Sequence, residues 1–130
     1  MHDILAALSH SAKARKSPSL PYAGDVTPTE AWHYLTQASA HIVDVRTMPE
    51  WKFSGTPELG GTLSALHCIS WVHYPDFEAN PLFLSDITIA SPTKYTPIFF
   101  LCKTGGRSHQ AANKVAEIGY SHAFNILHGF

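Results

Sequence analysis

Cys102 stands in the stretch Cys102-Lys103-Thr104-Gly105-Gly106-Arg107-Ser108, directly after the apolar run Ile98-Phe99-Phe100-Leu101. A cysteine does covalent chemistry as its thiolate, so its surroundings must favour the anion near neutral pH. Lys103 and Arg107 supply positive charge. Gly105 and Gly106 carry no Cβ, so the backbone between them and the sulfur can curl and aim several N–H groups at one atom. Such a nest suits a thiolate or a persulfide. An isolated cysteine at a strand end is more often a small, inert core residue. The glycine pair, the arginine and the helix start that follows together favour a reactive one.

Two elements must hold this loop in place. The run ending at Leu101 is bounded by Pro97 and is too short for a helix, which fits a strand buried on both faces. After Arg107 the spacing of Ala111, Val115 and Ile118 predicts a helix from about Ser108, stopped by Gly119. The first amides of a helix have no intrahelical partners and point, with the positive end of its dipole, into the loop. An anion there is stabilised.

A second charged group lies upstream. His41-Ile42-Val43-Asp44-Val45 reads as a strand, and Thr47-Met48-Pro49-Glu50 opens a short helix that should end by Gly55. Asp44, Arg46 and Glu50 therefore gather at one strand end. They read as a buried ion-pair network that fixes the turn, because an arginine can satisfy two carboxylates with its five donors. If Arg46 faces the cysteine loop, it adds positive potential for an anionic sulfur donor.

Cys102 to Ser108 resembles the active-site loop of the rhodanese family of sulfurtransferases: cysteine, four residues, arginine, then serine or threonine. Asp44-Val45-Arg46 followed by Glu50-Trp51 is similar to that family's second signature, and the resemblance runs from about Val26 to Phe130. It implies a three-layer α/β fold, a central parallel β-sheet with helices on both faces. It also implies a thiosulfate sulfurtransferase-like enzyme. In that reading Cys102 takes a sulfane sulfur from thiosulfate or a related small anionic donor, holds it as a persulfide and passes it to a thiol, a protein acceptor or cyanide. Lys103, Thr104, Gly105, Gly106, Arg107 and Ser108 would bind the substrate and the persulfide. Asp44, Arg46 and Glu50 would support them, with no metal and no organic cofactor.

Two features depart from the family pattern. The connection from Gly55 to Leu66 is longer than the usual Gly-His-Ile-x-Gly-Ala and lacks its histidine. The family's domain also generally runs on past the position of Phe130, so the chain reads as cut or shortened at its C-terminus. Two rival functions stand beside sulfur transfer. Cysteine phosphatases place five residues, not four, between cysteine and arginine. A non-catalytic binding or regulatory module can share the fold, since fold alone does not prove activity.

The whole chain sets further bounds. Its 130 residues suffice for one compact domain, with 45% hydrophobic and 15% charged side chains. No run approaches the ~18 apolar residues of a membrane span. Nine basic against ten acidic residues give no bias toward nucleic acid. Cys68 and Cys102 form no disulfide framework, and free thiols suit a reducing compartment, hence the cytoplasm. Residues 1–22 read as an N-terminal arm, a short helix and a linker, before the domain at 23–130. Thr27-Pro28-Thr29-Glu30 is a capping box that opens a helix with Ala31, Leu35 and Ala38 on one face. His67 to Val72 reads as a strand, Asn80-Pro81 caps a helix carrying Phe83, Ile87 and Ala90, and Ala123 to Ile126 is a last strand. His67 and Cys68 would point to opposite faces of their strand, which argues against a metal site with His73. Cys68 reads as a core residue, His109 as solvent-facing, and Trp71, Tyr74 and Phe77 as packing residues rather than a pocket mouth.

Overall fold

The computed structural model describes residues 2–60 and 62–128. Helices and strands follow in the order α1 (His2–Ala14), β1 (Gly24–Val26), α2 (Pro28–Gln37), β2 (His41–Asp44), α3 (Met48–Ser54), β3 (Ala65–Cys68), β4 (Val72–His73), β5 (Glu78–Ala79), α4 (Phe83–Ala90), β6 (Ile98–Leu101), α5 (Gly106–Glu117) and β7 (Ala123–Ile126). Five strands form one parallel sheet in the order β1-β7-β6-β2-β3.

Alternation along the strands builds two cores from this sheet. Ile42, Phe99, Leu101, Phe124 and Ile126 turn to one face, where Leu8 and Ala12 of α1 and Ala31, Tyr34 and Leu35 of α2 cover them. Val43, Ile98, Phe100 and Ala123 turn to the other, under Phe83 and Ile87 of α4 and Ala111, Ala112 and Val115 of α5. Both faces are buried, which is why β6 reads as an unbroken apolar run. This is the three-layer α/β arrangement expected from the sequence.

The capping box works as its residues predict. Glu30 N–H donates to Thr27 Oγ1 at 3.1 Å, and Thr27 N–H donates to Glu30 Oε1 at 2.9 Å. The stretch read as an arm, residues 1–22, contains α1, which packs onto β1 and α2. At Gly24, in a positive-φ conformation, a Cβ would fall 2.3 Å from the Ala12 carbonyl carbon, so helix and strand approach as closely as only glycine allows.

The strand expected over 67–72 is divided. β3 ends at Cys68, and the chain leaves the sheet because Ile69 N–H bonds Asp44 O whereas Trp71 N–H bonds Val45 O. Ser70 is set between them, with its hydroxyl donating to Arg46 O and its carbonyl accepting from Asn80 Nδ2. The segment continues as a separate antiparallel hairpin, β4–β5, in which Val72 pairs with Ala79. At the α4 entrance Asn80 Oδ1 accepts from Leu82 N–H, one turn before the helix begins. The last residues of the chain, Gly129 and Phe130, on which the shortened-terminus reading falls, lie outside the described residues.

Candidate active site

Sheet pairing stops where β6 stops. Leu101 O accepts from Val45 N–H, and the next residue, Cys102, is fully buried at the carboxyl edge of the sheet, on the face covered by α5. Sites in open α/β sheets form beyond this edge. Gly105 then takes a left-handed conformation, φ 98°, as the N-cap of α5. That turn brings its N–H within 3.1 Å of Cys102 Sγ. Gly106 differs: it opens the helix in free space without a positive φ, so the backbone demands glycine only at 105. The helix starts two residues earlier than its apolar spacing suggests, which makes Ser108 its third residue and leaves the Ser108 amide without an intrahelical partner.

The consequence is a cradle around one sulfur. Burial pushes the Cys102 thiol up, but a Ser108 hydroxyl turned to the sulfur, with the amides of Ser108, Gly105 and Thr104, outweighs it and holds the thiol below its ordinary value. Ser108 Oγ lies 3.4 Å from Sγ. The side chains of Lys103 and Thr104 are exposed, as is Gly106.

Arg107 has a partner that the sequence reading did not give it. Its two terminal nitrogens donate to Glu50 Oε1 at 2.7 Å and Oε2 at 2.9 Å, a bidentate pair joining the start of α5 to α3. Thr47 secures the same carboxylate, donating from its N–H at 3.1 Å and its hydroxyl at 3.0 Å to Oε1. The Glu50 carboxylate thus accepts hydrogen bonds from α5 and from Thr47, while its charge still acts on Arg46. Asp44 and Arg46 pair directly: Arg46 folds back so that Nη2 donates to Asp44 Oδ2 at 2.7 Å and Nε to Oδ1 at 3.0 Å, both residues being buried. Arg46 Nη2 also donates to Gly55 O at 2.7 Å, which ties the end of β2 to the end of α3.

The Arg107 guanidinium holds the Glu50 carboxyl down from 4.5 to about 2, with the Thr47 donors assisting. A carboxyl whose folded-state value is depressed contributes stability in full above its unfolded value and loses it as pH falls through the folded one. Glu50→Gln should thus remove part of the acid sensitivity between pH 4.5 and about 2. At neutral pH it should cost about 1.5–3 kcal/mol, the range for hydrogen bonds to charged groups. Urea unfolding at pH 7 and pH 3.5, on both proteins, checks this: the difference between them should shrink at the lower pH.

Other expectations place differently. His67 meets His41, Nε2 to Nδ1 at 2.9 Å, rather than Cys68 or His73, and among the described residues no group of three or more His, Cys, Asp or Glu side chains is gathered to hold a metal ion. His109 is half-buried, partly open to solvent and edge-on to the buried Tyr22 ring. Cys68 is exposed rather than in the core, on a cleft of about 670 Å³ lined by Met48, Trp51, Phe53 and Tyr74. Partial burial of its sulfur and the nearby Asp44 carboxylate push its thiol up, opposite to Cys102. Trp71 does pack, against Phe83, and its Nε1 donates to Gln110 of α5. Tyr74 and Phe77, expected to pack, are instead exposed and meet each other edge-on, with Tyr74 on that cleft.

The sequence reading missed the residues behind Ser108. Its hydroxyl donates to Asn125 Oδ1 at 2.5 Å, Asn125 Nδ2 donates to Asp25 Oδ1 at 2.9 Å, and the same carboxylate oxygen accepts from Tyr22 Oη at 2.9 Å. The available signal was Asn125 itself: an amide inside the apolar strand Ala123–Ile126 must find partners.

Comparison with known proteins agrees with this geometry. Residues 27–130 match the family model described as Rhodanese-like domain. An uncharacterized protein of Rickettsia rickettsii is 40% identical over 107 residues, and one of Rickettsia conorii is 39% identical over the same length, each match covering 82% of this chain and 82% of the relative. The crystal structure of Rv0390 from M. tuberculosis superposes with a TM-score of 0.73 at 35% identity, covering 84% of this chain and 80% of that one. A family match that takes in both the cysteine loop and the turn that braces it leaves one assignment, and the chain belongs to the rhodanese-like domain family.

Proposed function

We propose that the chain is a sulfurtransferase in which Cys102 carries a sulfane sulfur as a persulfide. The observation that supports this most is the buried Cys102 sulfur with the Gly105 N–H at 3.1 Å and the Ser108 hydroxyl at 3.4 Å, at the start of a helix whose Ser108 amide has no intrahelical partner. The Cys102 thiolate attacks the outer sulfur of thiosulfate; an S–S bond forms, the bond to the sulfonate sulfur breaks, and sulfite leaves with the electron pair. The terminal sulfur of the resulting persulfide is anionic at neutral pH and sits where the loop amides can bind it. A thiolate acceptor or cyanide then takes that sulfur, and Cys102 returns as thiolate. No metal or organic cofactor enters the cycle.

With four residues between Cys102 and Arg107, the loop suits one sulfur atom better than the three oxygens of a phosphate. Arg107, engaged by Glu50, braces the loop and adds positive potential. Lys103, exposed beside Cys102, draws in the anionic donor. Lys103→Ala should raise the KM for thiosulfate by roughly two- to fivefold, the worth of an exposed charge pair, with kcat little changed. Steady-state kinetics over a range of thiosulfate concentrations checks it, and an unchanged KM removes Lys103 from the site. Two free thiols and this chemistry fit the reducing cytoplasm. Among the described residues no helix is long and apolar enough to cross a membrane.

Intact mass after incubation with thiosulfate tests the proposal. The expected result is a gain of one sulfur atom that is lost on adding cyanide. A folded protein that gains nothing would turn the reading toward a non-catalytic binding module of the same fold.

A further inference from the structure

The hydroxyl proton of Ser108 has two claimants. Ser108 Oγ lies 2.5 Å from Asn125 Oδ1 and 3.4 Å from Cys102 Sγ, and a serine hydroxyl donates once. The thiolate needs that donor, while the resting arrangement gives it to Asn125. What decides between them lies farther back. Asp25 is a buried residue whose Oδ1 accepts from both Tyr22 Oη and Asn125 Nδ2. A carboxylate only accepts, so it fixes the amide of Asn125 with its NH₂ toward Asp25 and its oxygen toward Ser108. That oxygen, buried, then requires the Ser108 proton.

We infer that Asp25 is a positioning residue that sets the direction of the chain Tyr22–Asp25–Asn125–Ser108 and thereby holds Cys102 toward its thiol form. In the resting direction Ser108 presents a lone pair to the sulfur, which the S–H of Cys102 can meet and a thiolate cannot. To ionise, Cys102 gives its proton to solvent and Ser108 turns to donate to Sγ. Asn125 Oδ1 then loses its donor inside the protein. The amide can rotate and donate Nδ2–H to Ser108 only if residue 25 donates back to its oxygen, and a carboxylate does not. The other charged or titratable groups facing the chain are Arg15, whose Nη1 donates to the Asp25 main-chain carbonyl, Lys16 over the Tyr22 ring, His109 against the same ring, and Arg107 beside Cys102. None of them offers Asn125 Oδ1 a proton in this arrangement. The inference rests on Cys102 being the nucleophile of the proposed cycle.

The test uses a Cys68→Ser background, in which Cys102 is the single cysteine, and follows the pH dependence of its alkylation by iodoacetamide. Asp25→Asn can donate to Asn125 and should move the midpoint down by about one pH unit, a tenfold gain in thiolate at a given pH. Asn125→Leu leaves the Asp25 charge in place, frees the Ser108 proton, and should move the midpoint in the same direction. The two changes together should move it no further than either alone. An unshifted midpoint in Asp25→Asn overturns the inference; so does a shift in Asp25→Asn that is absent in Asn125→Leu or simply adds to it, because charge acting through space would then account for it. Should Asn125→Leu fail to fold, Ser108→Ala takes its place: with the link to sulfur removed, adding Asp25→Asn must leave the midpoint where it was, and a residual shift overturns the inference. Alkylation reads the thiolate directly. A shifted profile without sulfur uptake keeps the inference and removes the sulfur-transfer reading; uptake with an unshifted profile does the reverse.

Discussion

Cys102→Ser is expected to reduce sulfur uptake from thiosulfate to the level of a protein-free control while leaving the fold intact. The serine hydroxyl does not ionise in the pH range where the cradle holds the Cys102 thiol low, so the nucleophile is lost although every amide around it remains. Folding should survive because a buried hydroxyl at this position meets the Gly105 N–H and Ser108 Oγ, partners already in place for sulfur. The cost should be about 1 kcal/mol, ordinary for a conservative core substitution. Intact mass after thiosulfate treatment and a thermal melt, on the same sample, read both halves of this expectation. Cys68→Ser should keep full uptake, since Cys68 has a thiol pushed up rather than down and none of the loop amides. If the Cys102→Ser protein still carried one cyanide-labile sulfur, the carrier would be Cys68 and the proposed cycle would fail.

The parts of the site that were legible in the sequence are those whose causes are local. The run Ile98 to Leu101, the glycine at 105 and the helical spacing from Ala111 sit within one stretch, and together they placed Cys102 at a strand end under a helix start. The capping box at Thr27 and the short last strand were legible for the same reason. What was hidden depends on contacts between distant segments. Nothing between Thr47 and Glu50 says that Glu50 will reach Arg107, 57 residues on. β1 is only Gly24–Val26, with an aspartate at its centre, so it has no apolar pattern to announce it. Its aspartate faces inward because Asn125 of the neighbouring strand and Tyr22 supply the donors. β3 breaks at Cys68 because Ser70 is held by Arg46 and Asn80, a tertiary arrangement that overrides a β-prone run.

The largest effect on stability is expected at Asp44. Asp44→Asn should lower the unfolding free energy by about 3–5 kcal/mol, the range for removing one partner of a buried ion pair. Asp44 is fully buried and Arg46 is 1% exposed, so solvent cannot replace the missing charge. The asparagine offers one acceptor where the carboxylate offers two, and Asp44 now takes Arg46 N–H and Nε on Oδ1 and Nη2 on Oδ2. Against a total of about 5–15 kcal/mol for a domain, such a loss would leave the variant marginal. Urea unfolding followed by tryptophan fluorescence at pH 7 should show a lower midpoint with an unchanged slope. Arg46→Lys should fall nearly as far, since an ammonium cannot make the two-point contact to Asp44 and also reach Gly55 O. Catalysis separates bracing from substrate binding. If Asp44 and Arg46 act by fixing the turn after β2, the Asp44→Asn protein, kept folded at low temperature, should take up sulfur at close to the normal rate with an unchanged KM for thiosulfate. A loss of less than about 1 kcal/mol would mean the pair does not brace the turn. A normal fold with a raised KM would place Arg46 at the substrate instead.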